Sequence, residues 1–477
     1  MKQKGFIIAG THSGCGKTTI TMGIIHSLRE QGLRVQPFKS GPDYIDPGFH
    51  SAAARRACRN LDTRMLDEET VLELYARQLE DADIAVVEGV MGLFDGAGPD
   101  DERGSAAHLS KLLGLPVVLV IDARAMARSA AAMAYGYARF DPGVRVAGFI
   151  MNRVGSERHA ALLKTAVEEG TGLPVLGSVF RDDKAVIPDR HLGLVPSWED
   201  ENLQNRIRLI GDKITRSVDF EALMEIAGSA GDLPDTGSRV FPVNVSLPEE
   251  DAPVIAVARD DAFCFYYEDN LDLLRAFGAR LEFFSPIEDD SLPEGSSALW
   301  FGGGYPELHG EALSSNLSFL RSLREAVADG MPVFGECGGY MYLSQAIVDK
   351  EGRRHPMAGI LPGTAVMGRR LAALGYCSAR CTRETYFGSE GSLFNGHVFH
   401  WSEMTGLPSD AGRLFTVSRD SAEIGAGDIR NNVIGSWLHI HFASNPQALK
   451  GFVRAAVDWK RHDDPGLRRS AEKRGEL

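Results

Sequence analysis

The sequence predicts an α/β protein with two domains, the first of them built around a parallel sheet. In both halves, short runs rich in β-branched residues alternate with stretches of helical periodicity, a pattern typical of βαβ units. Between the halves lies a segment rich in Gly, Pro, Ser and Asp, GSAGDLPDTGSRVFPVNVSLPEEDAP, which is typical of a linker. At 477 residues the chain is also too long for one ordinary core.

The first domain is predicted over residues 1–227 and the second over 252–459, with a linker at 228–251. Candidate strands of the first domain are FIIA, LRVQPF, DIAVVEG, PVVLVID and RVAGFIMN. Those of the second begin with PVIAVAR, RLEFFSP, SALWFGGG and MPVFGECGG. Residues 460–477 are charged and lack an apolar face, so we expect this tail to fray.

Composition argues against several classes of protein. A net charge of −14 is the wrong sign for a general nucleic-acid or anionic-membrane binder. The six cysteines are scattered and do not form a disulfide framework. The apolar runs are too short for a signal segment or a membrane span. We therefore expect a cytoplasmic protein that acts on small molecules.

A phosphate-binding loop is predicted where strand FIIAG runs into THSGCGKTT and then into a helix. Glycines in such a loop let backbone N–H groups close around phosphate oxygens, and the helix N-terminus favours negative charge. Lys17 would reach the β- and γ-phosphates, and the Thr18 hydroxyl would bind Mg²⁺. The strict pattern has glycine where this chain has Thr11. The other predicted nucleotide-binding residues are Thr11, Ser13, Gly14, Gly16 and Thr19.

Acidic residues are expected beside this loop, at the carboxyl ends of neighbouring strands. Glu88 ends DIAVVEG, where a carboxylate would hold the metal, and the next loop adds Asp95. The loop KSGPDYIDPGFH carries Lys39, Asp43 and Asp46. It is either a rigid surface turn or a lid over the transferred phosphate, and two acidic loops beside one phosphate loop favour the lid. The predicted metal ligands are Thr18, Glu88 and Asp46.

A nucleophile elbow is predicted at Cys337, between the strand MPVFGE and a helix YMYLSQAI. The helix N-terminus would lower the pKa of the thiol, and the Gly338 N–H could stabilise an oxyanion. A second oxyanion donor would be Gly303 or Gly304 in FGGGYPE.

A histidine base is also required for this thiol. The run VIGSWLHIHF offers His439 and His441, which share a strand face if the strand continues that far. His397 and His400 are interpreted as structural or substrate-facing, and a metal pair at Cys377 and Cys381 is not supported by a second pair at zinc-site spacing.

Together these motifs resemble the cobyrinate a,c-diamide synthase family, from Lys4 to about Trp459. The matching stretches are GTHSGCGKTT, FKSGPDYIDPGFH, VVEGVMGLFDG, ARDDAFCFYYEDNLDLL, FGGGYPELH, GECGGYMYL and SWLHIHF. The resemblance implies a dethiobiotin-synthetase-like P-loop domain followed by a class I (Triad, flavodoxin-like) glutamine amidotransferase domain. It also makes Thr11 a family trait.

The resemblance implies roles for individual residues. Cys337 is then the glutaminase nucleophile and His439 its base, whereas Asp43 and Asp46 belong to the loop that handles acceptor and phosphate. Amidotransferases commonly carry His-x-Glu, with the glutamate orienting the imidazole. This chain has His441 at that position, so the resemblance implies a Cys–His dyad whose histidine is held by another group.

The implied reaction is the amidation of the a and c acetate side chains of cobyrinate. ATP with Mg²⁺ would form acyl phosphates, and glutamine would supply ammonia. The partners are then ATP, glutamine and an anionic tetrapyrrole; whether the chain forms a homodimer is left open. Hydrogenobyrinate and nickel-sirohydrochlorin are alternative acceptors. A different class, a regulatory P-loop ATPase with an inactive amidotransferase domain, is disfavoured because Cys337 and His439 are both present.

Overall fold

Two units divide the chain, Met1–Arg239 and Val240–Leu477, at a point inside the predicted linker. The computed structural model describes residues 2–181, 189–190, 193–194, 202–242, 251–409, 411, 414–419 and 422–463. No helix among these residues is both long enough and apolar enough to cross a membrane. The prediction of two α/β domains is confirmed.

A seven-stranded parallel sheet in the order β3-β2-β4-β1-β5-β6-β7 forms the centre of the first unit. Its strands are β1 (Gly5–Gly10), β2 (Val35–Ser40), β3 (Arg59–Leu61), β4 (Ile84–Glu88), β5 (Val117–Asp122), β6 (Val146–Val154) and β7 (Val175–Phe180). An antiparallel pair follows, β8 (Asp189–Arg190) and β9 (Gly193–Leu194). The helices are α1 (Lys17–Glu30), α2 (Asp46–Ala54), α3 (Glu68–Leu79), α4 (Ala106–Leu113), α5 (Ser129–Arg139), α6 (Glu157–Thr171), α7 (Leu203–Ser217) and α8 (Phe220–Gly228).

Strands β2, β4, β1 and β5 of this sheet are buried along their whole length, as their apolar runs predict. β1 lies between β4 and β5, with Ile8 opposite Glu88. The carboxyl end of β1 therefore carries the phosphate loop to the sheet edge where Glu88 ends β4.

The second unit is built on a six-stranded sheet in the order β11-β10-β12-β13-β23-β22, parallel except for β22. Two smaller sheets have the orders β15-β14-β16-β19 and β21-β20-β17-β18-β24. Strands of the main sheet are β10 (Val254–Ala258), β11 (Arg280–Phe284), β12 (Ser296–Phe301), β13 (Val333–Glu336), β22 (Asp428–Arg430) and β23 (Val433–Ser436). Those of the smaller sheets are β14 (Ala346–Val348), β15 (Arg354–Pro356), β16 (Thr364–Met367), β17 (Ala373–Cys381), β18 (Leu393–His400), β19 (Ser402–Thr405), β20 (Phe415–Arg419), β21 (Ala422–Ala426) and β24 (His439–Ile440).

The helices of this unit are α9 (Glu268–Ala276), α10 (Gly310–Ser315), α11 (Leu317–Ala328), α12 (Gly338–Leu343) and α13 (Pro446–Asp463). β13 lies between β12 and β23, so three loops meet at the carboxyl edge of the sheet. These loops are FGGG after β12, Cys337 after β13 and SWLH after β23.

Three local predictions are corrected by the structure. The helix predicted over YMYLSQAI ends at Leu343, because Ser344 is extended and Ala346 begins β14. β24 ends at Ile440, so the strand does not continue to His441. The predicted fraying tail begins inside α13, whose Lys460 Nζ donates to the Ala252 carbonyl at 2.9 Å. Residues 464–477 lie outside the described residues.

Candidate active sites

The phosphate loop in the first unit depends on glycine at three places. A Cβ on Gly10 would lie 2.4 Å from Cys15 Sγ and 2.9 Å from Lys17 Cδ, so the close approach that excludes a side chain falls at position 10 rather than 11. Gly14 and Gly16 have φ of 80° and 99°, in the left-handed region that favours glycine. The close contact at Gly10 thus gives a steric reason why this chain needs glycine at position 10, whereas the strict pattern has it at position 11.

Other contacts hold the loop closed. The Thr11 carbonyl accepts from Tyr137 Oη at 2.6 Å, and Ser13 at the tip of the loop is exposed. Thr18 and Thr19 lie half-buried in the first turn of α1. Asn152 Nδ2 donates to the Cys15 carbonyl at 2.8 Å.

Tyr137 on α5 and Asn152 on β6 contact the phosphate loop from elements far along the chain. Asn152 stands so close to the loop that a Cβ on Gly16 would lie 2.1 Å from its Nδ2. Sequence reasoning missed it, although Asn152 stands near the carboxyl end of a predicted strand, where such side chains gather.

Lys17 lies folded into the loop. Its Nζ donates to the Met91 carbonyl at 2.7 Å and to the His12 carbonyl at 3.2 Å. Asp95, in the same loop as Met91, accepts from the Gly92 N–H at 2.8 Å. The structure therefore shows Asp95 bracing the loop that Lys17 contacts.

Glu88 is the centre of the polar cluster beside the phosphate loop, and it is completely buried. Its Oε1 accepts from Thr18 Oγ1 at 2.8 Å and from Lys39 Nζ at 3.1 Å, and its Oε2 contacts His50 Nε2. Burial by itself would raise the pKa of Glu88, but the neighbouring Lys39 and His50 outweigh burial and hold that pKa below its usual range. The ionised form of Glu88 is therefore favoured despite its burial.

Lys39 joins Glu88 to the loop that follows β2. Its Nζ lies 2.7 Å from Asp46 Oδ2 and 4.0 Å from Asp43 Oδ2. Burial would lower the pKa of Lys39, but the carboxylates around it prevail and raise it. Burial also raises the pKa of Asp46, and the nearby Asp43 adds to the rise. The structure brings Lys39, Asp46 and Glu88 together; that this loop acts as a lid over the transferred phosphate stays a prediction.

Asp43 has a second contact that fixes the loop. Its Oδ1 accepts from the backbone N–H groups of Ile45, at 2.7 Å, and Asp46, at 3.2 Å, where α2 begins. His50 is the last residue of the stretch KSGPDYIDPGFH and lies on α2, and the sequence pattern predicts no role for it. Only the packing of α2 against the sheet places it on Glu88.

The elbow in the second unit is strained at Cys337, with φ 50° and ψ −99°. Its N–H donates to the Ser436 carbonyl at 2.7 Å, which ties the turn to β23. Burial raises the pKa of the Cys337 thiol and outweighs the lowering contribution of the Gly338 N–H at the helix N-terminus, so the net direction is opposite to the predicted one. Burial therefore favours the neutral thiol.

The loop after β12 faces this elbow. A Cβ on Gly338 would lie 3.1 Å from the Gly304 nitrogen, so these two predicted oxyanion donors are close neighbours. The Gly303 carbonyl accepts from the N–H groups of Cys264, at 2.9 Å, and Phe265, at 3.0 Å. Two residues of the stretch ARDDAFCFYYEDN therefore hold the loop FGGG after β12, which is called the oxyanion loop below because it carries the predicted oxyanion donors.

His439 lies deeply buried against three partners. Its Nδ1 is 3.0 Å from Glu336 Oε1, and its ring stacks on His397 with centroids 4.9 Å apart. A Cβ on Gly303 would lie 2.6 Å from His439 Cε1, so the oxyanion loop also touches this ring. Burial lowers the pKa of His439 to about 3 and raises the pKa of Glu336 well above its usual range.

His441 occupies a different environment from His439. Its ring stacks on Tyr267 with centroids 4.8 Å apart, and its Nε2 lies 4.0 Å from Asp269 Oδ2. The end of β24 at Ile440 separates the two histidines, so their shared strand face does not exist. Glu336 was missed by sequence reasoning, which sought a carboxylate two residues after the histidine rather than beside the nucleophile.

Comparison with known proteins covers both units. Residues 6–195 match the model of the CobQ/CobB/MinD/ParA nucleotide binding domain, and residues 254–447 match that of the CobB/CobQ-like glutamine amidotransferase domain. A cobyrinate a,c-diamide synthase of Dehalococcoides mccartyi (strain CBDB1) is 40% identical over 462 residues, 95% of this chain and 98% of the relative.

A second curated relative gives the same result. The cobyrinate a,c-diamide synthase of Salmonella typhimurium (strain LT2) is 41% identical over 463 residues, 95% of this chain and 98% of its own. A solved glutamine amidotransferase aligns with 42% of this chain and 98% of its own at 19% identity, with a TM-score of 0.33, which is too low to carry a functional conclusion.

Proposed function

Because the chain belongs to the cobyrinate a,c-diamide synthase family, we propose that it converts the a and c acetate carboxylates of cobyrinate into amides, with ATP and glutamine as co-substrates. The observation that supports the proposal is that one chain carries candidate residues for both centres. Glu88 gathers Thr18 and Lys39 beside a phosphate loop, and Cys337 stands at a strained elbow beside the strand that leads to His439.

The first centre is suited to phosphoryl transfer. Mg²⁺ is commonly held by one or two carboxylates together with substrate phosphates, and Thr18 and Glu88 already place an hydroxyl and a carboxylate oxygen 2.8 Å apart. Thr18 and Glu88, with Asp46 near them, would hold the ion. When bound, it would neutralise charge on the transferring phosphoryl group.

Activation of the acceptor follows from the chemistry of carboxylates. Oxide is not a leaving group, so an acetate oxygen attacks the γ-phosphorus of ATP, and ADP leaves. Lys17 stabilises the negative charge of the transferring group. Ammonia then attacks the acyl carbon of the acyl phosphate, inorganic phosphate leaves, and the nitrogen loses a proton to give the amide. The cycle runs once for each carboxylate.

The second centre supplies the ammonia. His439 takes the proton of Cys337 as Sγ attacks the glutamine side-chain carbonyl, and the N–H groups of Gly338 and of Gly303 or Gly304 stabilise the oxyanion. His439 returns the proton to the leaving nitrogen, so ammonia departs and a thioester remains. Water then hydrolyses the thioester to glutamate and restores the thiol.

An assay of acceptors tests the proposed function. The full chain is incubated with ATP, Mg²⁺ and glutamine and, in separate reactions, with cobyrinate, hydrogenobyrinate or nickel-sirohydrochlorin. We expect product masses that correspond to two successive conversions of carboxylate to amide with cobyrinate. If the chain amidates only hydrogenobyrinate or only nickel-sirohydrochlorin, that compound is the acceptor instead of cobyrinate. No turnover with any of the three would contradict the proposed function.

The substitution Cys337→Ala tests whether the two centres are separate. We expect glutamine-dependent amidation to be abolished, because the nucleophile is gone, while ammonium salts at alkaline pH still support amidation. Wild type with ammonium salts is the control. Loss of both activities in a folded variant would contradict a division of labour between the centres.

A further inference from the structure

The carboxylate that orients the glutaminase base is not found at the position where amidotransferases commonly carry it. Such a base needs a defined tautomer: a proton on one ring nitrogen, held by an acceptor, and a free lone pair on the other. Two residues after His439 stands His441, which stacks on Tyr267 and faces Asp269.

Glu336 fills this role from an unexpected direction. It is the last residue of β13, directly before the nucleophile, and its register partner on β23 is Ser436, three residues before His439. Its Oε1 lies 3.0 Å from His439 Nδ1, and both side chains are 2% exposed. We propose that Glu336 is the positioning residue for His439, and that one buried strand end thereby carries both the nucleophile and the group that orients its base.

The surroundings of His439 leave the ring little freedom to turn away. His397 covers one face of the ring at an interplanar angle of 20°, and Tyr267 Oη lies 3.1 Å from His397 Nδ1. Asn270 Nδ2 donates to the Ile440 carbonyl at 2.8 Å and holds the chain next to the ring. With Nδ1 directed at Glu336, Nε2 is the nitrogen that remains for the thiol.

The other charged or titratable groups near the ring do not offer this contact. His397 meets the ring by stacking, and a stacked ring cannot accept the in-plane Nδ1 proton. Cys337 is the proton donor in the reaction. Asp269 lies beside His441, not beside His439. When ionised, Glu336 accepts the Nδ1 proton without donating one and selects the tautomer with Nδ1 protonated. The neutral acid, which burial favours, would donate to Nδ1 and select the other tautomer, so the positioning role requires the ionised form when His439 acts as a base.

The substitution Glu336→Gln tests this role, which rests on the proposed function. An amide can donate to Nδ1 and so favour the wrong tautomer. We expect kcat for glutamine hydrolysis to fall about 10²- to 10⁴-fold with little change in the KM for glutamine, by analogy with the loss of the orienting carboxylate in serine proteases. Glu282→Gln, the same change at an exposed site on β11, is the matched control.

The pH profile separates orientation from a merely structural effect. A buried carboxylate at Nδ1 favours the protonated imidazole, so its removal weakens the base. We therefore expect the acidic limb of kcat to move to lower pH in Glu336→Gln. Glu336→Ala, which cannot donate to the ring, should show the same shift in the limb.

Three results would overturn the assignment. They are hydrolysis within about twofold of wild type in both Glu336 variants, a loss that appears only in KM, and an acidic limb that stays in place. Chemical denaturation of the full chain reports on folding, and a Glu336 variant that is unfolded under the assay conditions would make Glu336 structural. If wild type itself hydrolyses no glutamine, the proposed function fails; if wild type is active and the variants match it, only this inference fails.

Discussion

Glu88 and Glu336 end inner, buried strands of two parallel sheets, yet their surroundings give them opposite chemistry. Glu88 is contacted by Lys39, Thr18 and His50, and it remains ionised despite complete burial. Glu336 faces the imidazole of His439, and burial raises its pKa well above the usual range. The same residue at the same place in two sheets thus becomes a fixed charge in one centre and a proton partner in the other.

The comparison indicates that the positively charged groups near a strand end decide whether the pKa of a buried carboxylate there is lowered or raised. A fixed negative charge suits a site that handles metal and phosphate, since its affinity for cations then does not depend on small changes of pH. A carboxylate that shares a proton with a histidine suits a catalytic base, because the histidine is protonated and deprotonated during one reaction cycle and the carboxylate contacts it in both states.

The substitution Glu88→Gln tests the charged carboxylate of the first centre. Because the amide carries no charge for a metal or for Lys39, we expect ATP-dependent amidation to fall about 10²- to 10³-fold with either glutamine or ammonium salts. Glutamine hydrolysis should be nearly unchanged, the reverse of Glu336→Gln. Glutamine hydrolysis and ATP-dependent amidation are measured separately in each variant. An equal loss of both activities in Glu88→Gln would contradict the assignment of Glu88 to the first centre alone.

The substitution Lys39→Met tests whether the positive charge of Lys39, which pairs with Glu88 and Asp46, stabilises the folded chain. We expect the free energy of unfolding at neutral pH to fall by about 3–5 kcal/mol, because Glu88 and Asp46 are left buried without their partner. Since Lys39 holds the pKa of Glu88 below its usual range, this contribution is full above about pH 4.3 and is lost as the pH falls through the lower, folded-state value. The difference between wild type and variant should therefore shrink in acid.

Chemical denaturation at several pH values measures this difference. Lys164→Met is the control, because Lys164 is an exposed lysine 3.9 Å from Glu168 and should contribute under about 0.5 kcal/mol. A Lys39→Met variant as stable as the control would contradict a compensated cluster.

The smallest effect is expected from Gly338→Ala. The added Cβ would lie 3.0 Å from Pro306 Cδ and 3.1 Å from the Gly304 nitrogen, so the oxyanion loop must shift slightly. We expect glutamine hydrolysis to slow roughly 10- to 100-fold, with amidation from ammonium salts retained. Gly136→Ala is a matched control, because a Cβ at this helical position would have no heavy atom within 4 Å apart from its chain neighbours and the backbone of its own helix. Equal rates in both variants would show that the loop tolerates the displacement.

Much of both centres could be predicted from short motifs. Glu88 ends a strand and Cys337 directly follows one, and the apolar pattern reveals both strands. Lys17 and Thr18 begin the helix that follows the loop after β1. These predictions depend on contacts within a strand, loop and helix that follow one another in the chain. The roles of Asp95, of the oxyanion glycines and of the metal ligands stay predictions.

The contacts that could not be predicted join distant parts of the chain. His50 reaches Glu88 over 38 positions, and Glu336 reaches His439 over 103. No spacing rule links such pairs, because strand order in the sheet, rather than order in the chain, makes them neighbours. The shortened helix after Cys337 was missed for a similar reason: Ala346 pairs with β15 and β16.

The sequence by itself determined which chemical groups this protein has: a phosphate loop with its lysine, and a cysteine at a strained turn followed far along the chain by a histidine. Strand and helix periodicity place these groups at strand ends. Only the tertiary structure decided how each group is charged and oriented. Burial and the nearest partner set the protonation of a carboxylate, and that partner is known only when the strands have taken their order in the sheet.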